Sequence, residues 1–141
     1  MAIFNLKYIE SINESYHDYY NMAASKLETF FQHAVVWMYK PEIQHRDWVD
    51  SIIDNARGSK KDLKDNKNAY NLLKENLEEI YKSSLKRNKF LKYNKDINDN
   101  GKIYEIFNDL DTKIWNDDYI KSFLLKYAYN ETARNWIYNK R

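Results

Sequence analysis

The chain has 141 residues, a formal net charge of +2 and no cysteine, with 43% hydrophobic and 31% charged residues. This length fits one globular domain with one core, and the absence of cysteine excludes disulfides and thiolate metal sites. Two glycines and one proline leave little material for turn-rich β structure, so the composition favours helices joined by polar loops.

The first predicted helix runs over residues 6 to 39. Apolar residues recur in it at steps of three and four, which is the period of an amphipathic helix with one buried stripe. Pro41 disfavours helical geometry at Lys40, so we expect the helix to stop there. Because proline is favoured in the first turn of a helix, a second helix is expected to begin at this residue.

The second helix is predicted over residues 41 to 57, with Trp48 among its buried residues. Gly58 is expected to end it, because glycine is the usual residue just past a helix. Residues 59 to 67, SKKDLKDNK, are polar and are predicted to form a loop.

Three further helices are predicted over residues 68 to 93, 102 to 115 and 117 to 138. A polar linker, residues 94 to 101, separates the first two, and Asn116 supplies a break and a cap before the last. The sequence therefore predicts an all-α, bundle-like fold of about five helices with a long N-terminal helix.

The segment over residues 33 to 48 concentrates aromatic residues around the only proline. Trp37 and Trp48 are predicted to bury large areas and to fix the angle between the first two helices. An aromatic cage or a base-stacking platform is the functional alternative. The exposed part of Trp37, Tyr39 and Trp48 is therefore a candidate partner-binding surface.

Residues on both sides of Pro41 have a spacing that is typical of a known protein family. The residues concerned are Ser25-Lys26-Leu27-Glu28, His33, Trp37, Tyr39, Pro41-Glu42, Trp48 and Arg57. With them, residues 10 to 87 resemble a bacterial helical family, the domain of unknown function family numbered 29. The resemblance implies an all-α fold and no known chemistry. We find no match from residue 88 onward, so residues 102 to 141 are predicted to be a C-terminal helical elaboration within a single domain of residues 1 to 141.

Two Glu-x-x-His spacings, Glu14 to His17 and Glu42 to His45, make a carboxylate and histidine metal protein one hypothesis. Glu14 and His17 point roughly 140° and 80° away from the centre of the apolar stripe, by the rotation of an α-helix. Glu42 also suits a helix start without any metal. We therefore predict no metal site and no cofactor.

Residues 82 to 95, KSSLKRNKFLKYNK, contain six basic residues and no acidic one. The candidate partner-binding residues in this basic segment are Lys82, Lys86, Arg87, Lys89, Phe90, Lys92 and Tyr93. Lysine and arginine neutralise phosphates, so nucleic-acid binding is one interpretation of the segment. Binding to an acidic protein is equally compatible, and a solvated basic surface is the commonest meaning of such a run.

No catalytic residue is predicted, because the sequence has no cysteine nucleophile, no glycine-rich phosphate loop and no G-x-S-x-G motif. No apolar run of about 18 residues indicates a membrane span, and the polar N-terminal segment does not fit a secretory signal. The abundance of Lys, Asn, Ile, Tyr and Phe is typical of AT-rich bacteria, phages and plasmids. We therefore predict a cytoplasmic, non-catalytic protein-interaction module that occludes a partner, as an inhibitor, antitoxin-like or mobile-element accessory protein.

Overall fold

The computed structural model of the chain describes residues 2–87 and 95–141, with side chains described from residue 16 onward. Every regular element in these ranges is helical, which confirms the predicted all-α class. The helices are more numerous than the predicted five, because short breaks divide the long apolar patterns. None of the helices within these ranges is both long and apolar enough to cross a membrane.

The first helix, α1, spans Ala2–Tyr39 and ends where the sequence predicted. Lys40 has φ −126° and ψ 62°, outside the helical region, because the following proline ring restricts it. The proline then begins a short 3₁₀ turn, Pro41–Ile43, rather than the second α-helix. That helix begins after His45, whose Nδ1 accepts a hydrogen bond from the first turn at 3.1 Å.

The second helix, α2, spans Arg46–Asp62 and passes through Gly58, so the prediction that Gly58 ends it is wrong. The missing side chain permits close packing instead. A Cβ atom on Gly58 would lie 2.9 Å from Cδ of Lys26, which belongs to α1. Lys26 crosses α2 at this point and forms an ion pair with Asp62.

The turn that follows α2 is shorter than the loop predicted over residues 59 to 67. It places Lys64 and Asp65 in the left-handed region, at φ 49° and 59°. The side chain of Asn66 then accepts the Ala69 amide at 3.0 Å and caps α3, which spans Lys67–Glu75. Asparagine is among the best residues for this task, because its short side chain reaches the free amides of the first turn.

The helix predicted over residues 68 to 93 is interrupted at Asn76. The side-chain amide of Asn76 donates to the carbonyl of Leu72 at 3.0 Å, and its backbone adopts φ −101° and ψ 10°. A separate helix, α4, follows over Leu77–Ser84. The end of the predicted helix, residues 88 to 93, lies outside the described residues.

The two C-terminal predicted helices are each divided as well. Residues 102 to 115 form α5, Lys102–Ile106, and a π-helical turn, Leu110–Ile114. Residues 117 to 138 form α6, Asp117–Lys126, and α7, Glu131–Tyr138. The cap predicted at Asn116 is confirmed, since its side chain accepts the Tyr119 amide at 3.1 Å. Asp109 and Asn130 cap the π-helical turn and α7 in the same way, at 2.9 Å each.

Phe107 joins α1 to α6 in the core. The rings of Phe30, Tyr119 and Phe123 meet it edge-on, at centroid distances of 5.0, 5.7 and 4.9 Å. The central part of α1 supplies seven completely buried side chains to this core: Ala23, Leu27, Phe30, Phe31, Ala34, Val35 and Trp37. Edge-to-face rings add specific attraction to apolar burial, so this contact fixes how the two helices meet.

Candidate functional site

Trp37, which the sequence placed on a partner-binding surface, is completely buried. Its indole N–H donates to the backbone carbonyl of Leu124 in α6 at 3.0 Å. The ring is thus removed from water while its one polar group keeps a partner, which stabilises the contact between α1 and α6. Trp37 is therefore a core residue, which confirms its predicted burial, and it has no exposed part to contribute to the candidate partner-binding surface.

Gln44 makes a second link between the α1–α2 corner and the C-terminal helices. Its side-chain N–H group donates to the carbonyls of Trp37 and Tyr127 at 2.9 and 2.8 Å. Its side-chain oxygen accepts the amide of Tyr129 at 2.9 Å. These three bonds hold the turn between α6 and α7 against the end of α1, so the corner is a structural junction.

Trp48 packs across this corner from α2. It is partly buried, and its ring meets His33 of α1 edge-on with centroids 6.1 Å apart. Ile43 and Tyr129, on the two turns that Gln44 joins, are 44% and 62% exposed. The accessible apolar surface of the corner therefore comes from these two residues and the free part of Trp48, a contribution that the helical periodicity did not reveal.

Tyr39, the third aromatic residue of the predicted surface, binds a buried carboxylate. Its hydroxyl donates to Oδ1 of Asp99 at 2.7 Å, and the Tyr81 hydroxyl donates to Oδ2 at 2.5 Å. Asp99 is only 7% exposed, although the sequence placed it in a polar linker. Burial, and then the hydrogen bond to Asp99, raise the pKa of Tyr39 to about 12 and also raise the pKa of Tyr81. Both hydroxyls therefore remain hydrogen-bond donors throughout the neutral pH range.

A groove of about 430 Å³ runs between α1 and α4. Its lining residues are Tyr20, Asn21, Ala24, Ser25 and Glu28 from α1, and Asn76, Glu79, Ile80, Ser83 and Arg87 from α4 and its flanks. The small side chains among them are Ala24 and Ser25 on α1 and Ser83 on α4. Amide and hydroxyl groups along the walls can donate to and accept from a polypeptide backbone.

Glu28 and Arg87 form an ion pair across this groove. The Glu28 side chain is 12% exposed and that of Arg87 is 58% exposed. The Ser83 hydroxyl donates to Oε1 of Glu28 at 3.3 Å. Burial, and then the charge of Glu28, raise the pKa of the Tyr20 hydroxyl. Arg87 thus neutralises a mostly buried carboxylate, and the exposed half of its side chain is accessible to another molecule.

The other residues of the predicted basic segment fall into two groups. Lys82 and Lys86 are exposed. Nζ of Lys82 lies 3.7 Å from a carboxylate oxygen of Glu78 and of Glu79, a separation at which exposed pairs contribute little. Lys86 forms no ion pair with the described part of the chain. The remaining candidates, Lys89, Phe90, Lys92 and Tyr93, lie outside the described residues.

The histidine spacings do not assemble ligands among the described side chains. No group of three or more histidine or acidic side chains that could hold a metal ion occurs there. His45 uses Nδ1 to cap α2, and Glu42 is exposed on the 3₁₀ turn. The side chain of Glu14 lies outside the described residues, whereas His17 is exposed and packs its ring against Tyr16.

Comparison with known proteins gives one match. Residues 5–115 match the model of the family described as Domain of unknown function DUF29. The matched range is longer than residues 10 to 87, on which the resemblance was based, and it includes α5 and the π-helical turn. Only α6 and α7 lie beyond it, so the predicted absence of a match from residue 88 onward is wrong. No curated protein and no solved structure matches the chain.

Proposed function

The chain belongs to the DUF29 family, and we propose that it is a non-catalytic module that binds a segment of another protein in the groove between α1 and α4. The observation that supports this proposal is the position of the groove. It contains Ser25 and Glu28, which carry the family resemblance, and it reaches Arg87, which belongs to the basic segment. Two sequence features that are separate along the chain therefore meet on one surface.

The walls of the groove are suited to binding without rearrangement. On α1, Leu27 and Phe31 are completely buried, and on α4, Leu77 and Ile80 are 2% and 4% exposed. These buried side chains fix both helices in the core, so the groove exists before a partner arrives. A preformed site avoids the entropy cost of ordering flexible walls.

The charge of the basic segment favours an acidic partner. Residues 82 to 95 have six basic side chains and no acidic one, and Lys82 and Lys86 are exposed at the α4 end of the groove. Such a surface accelerates the approach of an acidic protein and selects against basic ones. We propose that the module acts by covering the bound surface, as an inhibitor, an antitoxin-like protein or a mobile-element accessory, in a cytoplasm whose reducing conditions suit a chain without cysteine.

The proposal is tested by filling the groove. Ser83→Trp places a large side chain between the walls, while Ser122→Trp makes the same change at an exposed position of α6. Tagged wild type and both variants are used to capture partners from native lysate, with half of each sample treated with nuclease. We expect wild type and Ser122→Trp to retain the same nuclease-resistant protein and Ser83→Trp to lose it. Equal capture by Ser83→Trp would exclude the groove.

Nucleic-acid binding by the basic segment is the alternative function. Contacts of Lys82 with Glu78 and Glu79, and of Arg87 with Glu28, reduce the positive charge available to phosphates and to an acidic protein alike, so they do not decide between the two functions. The same capture experiment separates the two functions, because a nucleic-acid ligand is lost with nuclease. Phosphate binding also weakens steeply as salt rises, whereas a partner held in a groove is less sensitive.

A further inference from the structure

A second surface, which shares no lining residue with the α1–α4 groove, carries two neighbouring aromatic rings. Tyr70 of α3 and Trp115, which follows the π-helical turn, have ring centroids 5.9 Å apart and planes inclined by 38°. They line a pocket of about 280 Å³. The other lining residues are Lys60, Leu63, Asp65, Asn66, Lys67 and Asp111.

Hydrogen bonds fix the polar end of each ring. The indole N–H of Trp115 donates at 2.9 Å to the hydroxyl of Ser59, a completely buried residue of α2. The Tyr70 hydroxyl donates to Oδ2 of Asp111 at 2.5 Å. Because both polar atoms are held, the partly buried rings keep their relative position in the absence of a ligand, which lowers the cost of binding one.

Lysine amines lie over the two rings. Nζ of Lys60 is over the Trp115 ring, 5.8 Å from its centroid, and Nζ of Lys74 is over the Tyr70 ring, 6.0 Å from its centroid. Lys67 also lines the pocket, and so do the carboxylates of Asp65 and Asp111. Positive and negative side chains in the lining therefore balance, and the pair of aromatic rings with lysine amines over them is the distinctive feature of the pocket.

We propose that the Tyr70–Trp115 pocket binds a nucleobase that stacks on the rings, with Lys60 and Lys67 contacting its phosphates. Proteins that bind single-stranded nucleic acid without sequence preference combine such stacking with positive side chains. The base belongs either to a free nucleotide or to a single strand, since both present the same ring and phosphate. This site is independent of the protein-binding groove and of the basic segment.

The test uses the full chain with two probes, thymidine monophosphate and a short fluorescein-labelled oligodeoxythymidylate. Tyr70→Leu and Trp115→Leu remove one stacking surface each. Trp136→Leu is the matched control, because Trp136 is a partly buried tryptophan of α7 outside the pocket. Each pocket variant is expected to weaken binding about tenfold or more, as the loss of one stacked base does, while the control binds as wild type does.

A charge variant keeps the test valid if Trp115→Leu fails to fold. Lys60→Gln combined with Lys67→Gln leaves both rings and their hydrogen bonds intact. It should weaken oligonucleotide binding and reduce the slope of log affinity against log salt by about 1.4, since each phosphate contact contributes about 0.7. Lys102→Gln combined with Lys126→Gln removes the same charge from exposed positions outside the pocket and should change neither quantity.

The outcomes separate the two sources of the base. If both probes bind, the pocket is a nucleotide site that also accepts single strands. If only the oligonucleotide binds, the ligand is a single strand. Either result supports the proposal when the pocket variants weaken binding. The proposal is overturned if wild type binds neither probe, or if folded ring and lysine variants bind as tightly as wild type.

Discussion

Oδ1 of Asp99 accepts a hydrogen bond from the Tyr39 hydroxyl at 2.7 Å, across 60 positions of the chain. The Tyr81 hydroxyl binds the other carboxylate oxygen at 2.5 Å, and the same oxygen is 3.3 Å from the amide of Ile103 at the start of α5. One buried carboxylate therefore joins the end of α1, the middle of α4 and the first turn of α5. Hydrogen bonds to a charged group are stronger than those between neutral groups, so this contact should matter for stability.

Asp99→Ala is expected to lower the free energy of unfolding by about 3 kcal/mol, because the buried Tyr81 hydroxyl and the partly buried Tyr39 hydroxyl lose their carboxylate acceptor. Urea denaturation measures the change. Asp96→Ala is the matched control in the same loop, since the Asp96 side chain is 70% exposed although it pairs with Lys40. An exposed pair contributes little to stability. A loss for Asp99→Ala as small as that of the control would contradict the role of the buried carboxylate.

The pKa of Tyr39, raised to about 12, and the raised pKa of Tyr81 make stability depend on alkaline pH. An unfolded tyrosine loses its proton near pH 10, whereas these folded tyrosines still hold theirs. Their contribution is therefore fully present below pH 10 and is lost as the pH rises toward about 12. Urea unfolding of wild type and Tyr39→Phe over this range measures the effect. The variant should lose less stability than wild type, and parallel curves would contradict the assigned cause.

Trp37→Ala and Trp48→Ala should lower the free energy of unfolding by different amounts, although both tryptophans lie at the same corner. Trp37→Ala should lower it by about 4 kcal/mol, because it leaves a cavity at a fully buried position and removes the hydrogen bond to the Leu124 carbonyl. Trp48→Ala should lower the free energy of unfolding by only about 2 kcal/mol, because Trp48 is partly buried. Chemical denaturation of both variants measures the difference. Equal losses would contradict the unequal burial of the two rings.

Arg87→Ser should destabilise the fold more than Lys86→Ser does, although both remove one positive charge from the basic segment. Arg87→Ser leaves the mostly buried Glu28 without its ion-pair partner. Because Arg87 is itself half-exposed, we expect the free energy of unfolding to fall by only about 1–2 kcal/mol. Lys86→Ser should change stability by less than about 0.5 kcal/mol. Thermal and urea unfolding measure both, and equal stability of the two variants would show that the Glu28–Arg87 pair contributes nothing.

The helical class and the end of α1 could be predicted because they depend on local chemistry. Periodicity of apolar residues and the geometry imposed by Pro41 act within a few residues. The breaks at Asn76 and Asn130 were missed because the apolar period continues across them. The capping side chain of Asn130 was the signal that could have located the second break, whereas Asn76 makes no side-chain cap. Gly58 was misread because glycine also serves close packing, and nothing in the sequence placed Lys26 against it.

The candidate site was harder to predict, because its contacts join distant residues. Nothing around Asp99 distinguishes it from the exposed acidic residues beside it, and its partners lie 60 and 18 positions away. The burial of Trp37 could be predicted, but its hydrogen bond to the Leu124 carbonyl could not, because Leu124 lies 87 positions later. The basic segment could be recognised from composition, but its juxtaposition with Glu28 in a groove required the packing of α1 against α4.

The most direct test of the protein-binding groove is photo-crosslinking from within it. A benzoylphenylalanine side chain is placed at Ser83 on the groove wall and, as the control, at Ser122 on α6. Irradiation in cells of the source organism, followed by nuclease treatment, should give a discrete protein adduct from Ser83 and none from Ser122. Absence of any adduct from Ser83, or the same adduct from both positions, would contradict binding of a protein segment in the groove.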